Sequence, residues 1–420
     1  MLLKDKKILV GITGSISIYK SLELIRVFIK AGAEVKVVMS ESAKRFITPL
    51  TFEAISQNEV LHEGSESWSS ELNHIGVARW ADIYVIAPST ANTINKLSKG
   101  VADTLVTQVA LASGTKKIIA PSANTNMYKN HFTDHSIKFL KLNNYIIVPT
   151  QSKSLACNEV GDGALAHERE IFYFTARELL REEFWSDRRV VVSGGGTIEK
   201  IDDIRFISNF SSGKMAKELA TALYLRGADV CLISTKSFEN LPKEIYFLEV
   251  ESSEEMSEYL VDSIRVAKKG VLTKATLMDS SNPTLIQKKP YLFMAAAVSD
   301  FVPKFRQDGK IKKEMMGENW NLEMKKNSDI LKSLGKNGII TVGFKAEMDR
   351  DKAFENAKRM LKDKELDAVC LNIISKENNF GSNNYEIDII TKNKNSSLGR
   401  DSKLNRSFKI LKSVKEIESE

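Results

Sequence analysis

The sequence predicts an α/β protein of two Rossmann-like domains with parallel sheets, and three observations carry that expectation. Its 420 residues exceed the size at which one hydrophobic core stops growing, so two domains are expected. Each half opens alike, with a basic pair, a β-branched strand, a Gly-rich turn and an amphipathic helix. Short apolar strands then alternate with helical patterns along both halves, the rhythm of βαβ units.

In the first half, Lys6-Lys7-Ile8-Leu9-Val10 reads as a strand entering the turn Gly11-Ile12-Thr13-Gly14-Ser15. Leu22, Ile25, Phe28 and Ile29 mark the buried face of a helix that ends near Gly32. Further strands are expected over residues 35–39, 82–87, 117–120 and 145–148. In the second half, strands are expected over 190–193, 229–234, 291–295, 339–343 and 368–371, and a helix over 215–225. The boundary falls in the charged stretch 182–188, giving domains of 1–186 and 187–420. Residues 267–290 break the βα rhythm like an insertion. Residues 392–406, rich in Asn, Ser and Lys, read as loop or frayed end.

An apolar content of 42% and a charged content of 27% are ordinary for a soluble globular chain. No apolar run reaches membrane-spanning length, and the first residues enter a strand without a cleavable apolar segment, so a cytoplasmic location is expected. Cys157, Cys231 and Cys370 are odd in number and far apart, which excludes a CxxC metal cluster and leaves thiols. The net charge of +7 is uneven: residues 1–187 carry 21 Lys and Arg against 20 Asp and Glu, the remainder 40 against 34. An anionic substrate in the second half fits this excess, whereas no basic stripe interleaved with aromatics suggests nucleic acid. All five histidines (His62, His74, His131, His135, His167) lie in the first half. Chemistry in the second half therefore runs without imidazole, as carboxylate activation by a nucleotide can.

Ligands of doubly wound sheets sit at the carboxyl ends of the strands. The loops expected there hold Gly14-Ser15, Ser40, Pro88 to Asn92, Pro121 to Asn124 and Cys157. Residues Arg205 to Lys214 set small, polar and cationic side chains before a helix start, a place suited to a phosphate or carboxylate. Neither half carries a full GxGxxG with its acidic partner, which argues against a nicotinamide-dependent dehydrogenase.

Taken in order, several motifs resemble the bifunctional coenzyme A biosynthesis flavoproteins that join phosphopantothenoylcysteine decarboxylase to phosphopantothenate–cysteine ligase. They are Gly14-Ser15-Ile16 with Tyr19-Lys20, Asn73-His74-Ile75, Ala87 to Asn92, Pro121 to Tyr128 and Ala156-Cys157, then Arg205 to Lys214, Ala295 to Asp300, Lys310 to Lys313, and Gly343 to Glu347. The resemblance covers nearly the whole chain and implies a flavodoxin-like FMN domain followed by a nucleotide-binding ligase domain. In the second domain it implies that CTP activates 4′-phosphopantothenate as an acyl-cytidylate and that the cysteine amine displaces CMP. Lys310, Lys312 and Lys313 would neutralise the triphosphate, with Mg²⁺ near Asp300. Asn209 and Arg205 would handle the acyl-cytidylate and substrate, and Ala295, Ala296, Ala297 and Phe344 would frame the nucleotide.

In the first domain the resemblance implies FMN against Gly14 and Ser15, with Ser40, Phe46, Ser89, Thr90, Ala91 and Asn92 nearby. The cysteinyl thiol would be oxidised to a thioaldehyde, so that loss of CO₂ leaves a stabilised carbanion. His74 would hold the carboxylate or move a proton, Asn124 would bind the carboxylate, and Cys157 would protonate the enethiol. A homo-oligomer is implied, with trimeric flavin domains and dimeric ligase contacts. Three features depart from the family pattern: Ala123 before Asn124, Ala164 where an arginine is usual, and Ser17-Ile18 where alanines are common. They imply an altered flap or slower turnover. Two other readings stay open: a ligase with an idle FMN-binding domain, and a flavin-containing phosphatase-regulatory subunit.

Overall fold

The computed structural model describes residues 1–154, 160–273, 276–277, 283–312, 318–374 and 384–418. The chain forms two compact units, Met1–Leu180 with Thr273–Thr284, and Arg181–Leu272 with Leu285–Glu420.

The first unit runs β1 (Lys7–Ile12), α1 (Tyr19–Lys30), β2 (Glu34–Met39), α2 (Glu41–Lys44), α3 (Pro49–Ser56), α4 (His74–Trp80), β3 (Ile83–Ser89), α5 (Ala91–Lys99), α6 (Leu105–Ala112), β4 (Lys116–Pro121), α7 (Thr125–Lys129), α8 (His131–Leu142) and β5 (Ile146–Ile147). Its five strands are all parallel, in the order β2-β1-β3-β4-β5. That is the flavodoxin-like order, whose direction of winding reverses between β1 and β3. Helices cover both faces, so the strands are apolar throughout: every residue of β3 is buried. Leu9, Tyr84 and Ile86 pack with Val77, Ile94 and Val106 on one side. On the other side Phe28 meets Phe172 at 6.1 Å between ring centres. An antiparallel pair, β6 (Gln151–Ser154) and β7 (Val160–Ala164), leads to α9 (Glu168–Leu180).

The second unit contains β8 (Arg189–Gly194), β9 (Ile198–Lys200), β10 (Phe206–Ser208), α10 (Lys214–Leu225), β11 (Asp229–Ser234), β12 (Tyr246–Glu249), α11 (Ser253–Ala267), β13 (Val271–Leu272), β14 (Leu285–Ile286), β15 (Tyr291–Met294), β16 (Phe301–Pro303), β17 (Met324–Lys326), α12 (Ile330–Ser333), β18 (Ile340–Glu347), α13 (Arg350–Asp363), β19 (Ala368–Ile373), β20 (Asn384–Thr391), β21 (Asn395–Ser402) and α14 (Lys403–Lys415). The main sheet has the order β12-β11-β8-β15-β18-β19-β20-β21. It is parallel from β12 to β19 and antiparallel from there to β21. Within 267–290 the chain forms the short antiparallel pair β13–β14.

The expected loop at 392–406 is corrected: it holds β21 and the start of α14. Its Asn, Ser and charged residues suit an edge strand, where one side of the ladder and much of the side-chain surface face water. Burial of Arg406, Ile410, Leu411 and Val414 then fixes α14. Local composition is overridden here by packing that only the folded chain supplies.

Arg188 closes the start of the second unit. Its guanidinium donates to the carbonyls of Phe184 (3.0 Å) and Lys289 (2.6 Å) and to the carboxylate of Glu418 (2.6 and 3.1 Å). It also lies 4.1 Å from the centre of the Phe184 ring. Arg188→Ala is expected to destabilise the unit by about 2–4 kcal/mol, because two half-buried carbonyls and the Glu418 carboxylate lose their donor and the ring stack is lost. Chemical denaturation followed by Trp185 fluorescence measures this.

Candidate active sites

The first unit gathers its turns at the carboxyl edge of the sheet. Thr13 Oγ1 donates to the Pro88 carbonyl at 2.7 Å and accepts from the Thr90 N–H at 3.1 Å, tying the turn after β1 to the turn after β3. Ser40 follows β2 and lies with its Oγ 3.1 Å from Ser42 Oγ. A Cβ on Gly14 would fall 2.7 Å from that Ser42 hydroxyl, so the turn admits only glycine without a shift. Ser15 lies within 3.0 Å of both the Ser17 and Ser122 hydroxyls, and the Ser122 N–H donates to the Ser89 carbonyl. Thr90 caps α5, Ala91 is buried in its first turn, Asn92 is exposed there, and Phe46 is exposed beyond α2.

These features fit a flavin phosphate and ring. The site offers small hydroxyls, close backbone and a helix start. Ser89 Oγ adds an orphan: it is fully buried and has no hydrogen-bond partner. A buried hydroxyl left so costs stability unless a bound group satisfies it.

Asn124 caps α7, its side chain accepting from the Asn126 N–H at 2.9 Å. The β6–β7 hairpin is clamped beside it: Ala123 N–H donates to the Gly163 carbonyl and Thr125 Oγ1 to the Asp162 carbonyl. Gly163 has φ 112, and a Cβ there would fall 2.4 Å from the Ala123 carbonyl oxygen. Ala164 is buried. Cys157 lies outside the described residues. Lys20, at the start of α1, points its Nζ at the Leu165 carbonyl (3.5 Å). Burial and then the neighbouring Lys153 ammonium push its pKa down to about 8. His74 opens α4 with Nδ1 2.7 Å from Glu66 Oε1.

In the second unit a cavity of about 790 Å³ opens over the carboxyl edge of the main sheet. Asn209, Ala295, Ala296, Ala297, Asp300 and Phe344 all line it. Close backbone approach builds its rim. Gly195 has φ 81, with a Cβ position only 2.2 Å from Thr235 Oγ1, and a Cβ on Gly196 would fall 2.4 Å from the Asn209 carbonyl oxygen. Ala297 N–H donates to the Gly195 carbonyl, and Asn209 Nδ2 donates to the Val298 carbonyl at 3.0 Å. Among the described residues no group of three or more His, Cys, Asp or Glu could hold a metal. A divalent ion beside Asp300 would thus depend on nucleotide phosphates for most of its ligands.

Arg205, Lys310 and Lys312 do not line the cavity. They share an arm built from the β9–β10 hairpin and the segment after β16. Buried Asp202 organises it, accepting from the N–H groups of Ile204 (2.8 Å), Arg205 (2.6 Å) and Ile311 (3.2 Å) and from the Arg205 guanidinium (3.1 Å). Burial raises its carboxyl pKa, and these donors outweigh that and hold it below the usual range. Asp203 accepts from the Gly309 N–H at 2.9 Å, so Lys310 is pinned beside Arg205. Lys313 lies outside the described residues. The arm is apolar on its surface: Ile204, Phe206, Phe305 and Trp320 are all exposed.

Sequence reading missed several cavity residues: Asn327, Asp329, Arg359, Lys364 and Lys403. Asp329 pairs with Lys364 at 2.9 Å. Asn327 donates to the Ser299 carbonyl at 2.8 Å. The Asn-Ser-Asp run before α12 was a readable helix-cap signal. Lys403 had none, because it starts a helix in the stretch read as a frayed end.

Residues 2–180 match the family model described as Flavoprotein, and residues 185–289 and 271–417 match the DNA/pantothenate metabolism flavoprotein C-terminal domain. The coenzyme A biosynthesis bifunctional protein CoaBC of Bacillus subtilis is 34% identical over 421 residues, covering 98% of this chain and 97% of its own. Its counterpart in Borreliella burgdorferi is 32% identical over 392 residues, covering 93% and 94%. Among solved structures, the C-terminal domain of a CoaBC protein covers 56% of this chain and 97% of its own, with TM-score 0.42 and 24% identity. A PPC decarboxylase mutant complexed with pantothenoylaminoethenethiol covers 42% and 98%, with TM-score 0.37 and 31% identity. With family models matching both halves and relatives above 30% identity along nearly its whole length, this chain belongs to the family of bifunctional coenzyme A biosynthesis proteins.

Proposed function

We propose that residues 187–420 join 4′-phosphopantothenate to cysteine with CTP, and that residues 1–186 decarboxylate the product with FMN to give 4′-phosphopantetheine. The observation that carries the ligase reading is the cavity whose walls are the Asn209 loop and the Ala295 to Ala297 strand end, held together by the Asn209 amide. Its backbone donors and lysines suit an acyl-cytidylate and its departing pyrophosphate. Asp300 would hold Mg²⁺ carried by the nucleotide.

FMN, when bound, supplies reversible two-electron oxidation of the cysteinyl thiol carbon. The protein's part is to bind it through Gly14, Ser15, Ser40 and Ser89 to Asn92, to position the carboxylate with Asn124, and to move protons with His74 and Cys157. Ser89→Ala removes the orphan hydroxyl and is expected to weaken FMN binding about tenfold. Quenching of flavin fluorescence on titration reads this directly.

A homo-oligomer fits the exposed apolar arm. Arg205, Lys310 and Lys312 would reach the cavity of a second copy when that arm docks. Mixing Lys310→Ala with Asn209→Ala protein is then expected to restore ligation above either variant alone, whereas an additive result would confine each site to one chain.

Mass spectrometry of products from 4′-phosphopantothenate, cysteine, CTP and Mg²⁺ tests the whole reading. Phosphopantetheine with CMP supports both halves. Accumulation of phosphopantothenoylcysteine by flavin-loaded protein would favour the idle-domain reading that Ala123 and Ala164 motivate. No helix among the described residues is long and apolar enough to cross a membrane.

A further inference from the structure

We infer that Glu66 is a positioning residue for His74, fixing its tautomer and ring orientation so that Nε2 is the nitrogen offered to substrate. This rests on the reading of His74 as the group that moves a proton in the decarboxylase site. Glu66 Oε1 lies 2.7 Å from His74 Nδ1 and also accepts from the His74 backbone N–H at 3.3 Å. A carboxylate only accepts, so the ring proton belongs on Nδ1. In the neutral ring it is then Nε2 that carries the lone pair.

The contact is built rather than incidental. Both side chains are only 23% exposed, unlike the loose surface pairs that contribute little. The loop carrying Glu66 is laid across the start of α4 by Asn73, whose Nδ2 donates to the carbonyls of Ser67 (3.3 Å) and Ser70 (3.1 Å) and whose Oδ1 accepts from the Gly76 N–H (2.9 Å). Ser67 N–H donates to the Leu72 carbonyl at 2.8 Å. The fit is close enough that a Cβ on Gly76 would fall 2.2 Å from the Glu71 carbonyl oxygen. Trp68, from the same loop, stands edge-on to the imidazole at 5.4 Å and 89°. The ring is therefore held at one nitrogen by the carboxylate and on its flank by indole.

The chemistry follows. The S–H bond of the cysteinyl thiol breaks, its electron pair stays on sulfur, and the proton forms an N–H bond at Nε2. The positive charge then on His74 lies against the Glu66 carboxylate, as in other His–carboxylate pairs.

Nitrogen NMR of the full-length, flavin-loaded protein with ¹⁵N-histidine tests the inference. In the unsubstituted protein His74, assigned by its loss in His74→Ala, is expected to carry its proton on Nδ1. In Glu66→Ala the Nε2-protonated form should take over. The kcat for decarboxylation should fall about tenfold to 100-fold, with KM and CTP-dependent ligation unchanged. Glu66→Gln, whose amide oxygen still accepts from both nitrogens, should keep the tautomer and recover part of the rate.

An Nε2-protonated His74 at the outset, or Glu66→Ala that leaves both tautomer and kcat unaltered, would overturn the proposal. So would a Glu66→Gln protein that loses activity only in step with its melting temperature. If the tautomer switches as expected while even the unsubstituted protein fails to decarboxylate, the positioning role stands and the decarboxylase reading falls.

Discussion

His74→Ala is expected to slow decarboxylation by about 10² to 10⁴-fold, the usual worth of a positioned acid–base group, while CTP-dependent ligation continues unchanged. The chain would then accumulate phosphopantothenoylcysteine. His74 lies in the first unit, whereas the cavity that suits the ligation is lined entirely by residues of the second. The measurement is a paired assay on one preparation, with CMP release reporting ligation and CO₂ release reporting decarboxylation. Equal loss of both would mean that His74 supports folding rather than chemistry, and unchanged CO₂ release would remove it from the mechanism.

Asn209→Ala is the counterpart. Its amide bridges the loop before α10 to the Val298 carbonyl at 3.0 Å, with a longer approach to Ala297 at 3.5 Å. Those two loops form facing walls of the cavity. Loss of the bridge leaves a carbonyl short of a donor and lets the walls part, and displacement of about 1 Å at a reacting centre can cost about 10²-fold in rate. Ligation is expected to fall by at least that factor, with decarboxylation of supplied phosphopantothenoylcysteine untouched. Single-turnover formation of the acyl-cytidylate would show whether activation or amine attack suffers. A change in KM for CTP alone would instead mark Asn209 as a nucleotide contact.

The parallel sheets were legible in the sequence because their strands are buried on both faces and so read as continuous apolar runs. Val190 to Val192 and Ile83 to Ala87 carry that signal without help from context. Strands whose pairing is long-range and whose surface is wet did not show it: β21 is polar, and α14 is recognisable only once Ile410, Leu411 and Val414 have a core to enter. The same division holds for the sites. Asn209, Ala295 to Ala297, Asp300 and Phe344 were marked by their resemblance to the family's motifs, and the structure places them on one cavity. Lys364, the residue after α13, and Lys403, the first of α14, reach that cavity from sequences that look like ordinary charged surface. Arg205 and Lys310 were grouped with the cavity by motif, yet their positions follow from Asp202 and Asp203, short-range anchors whose partners the sequence does not announce.

The bond between Arg188 and Glu418 has a consequence for how the second unit can be rewired. It brings the two ends of the second unit to one point, so covalent linkage there is topologically neutral. A polypeptide whose ends meet can be appended to another, detached from it, or circularly rewired by joining those ends and opening an exposed loop, with the strand order unchanged.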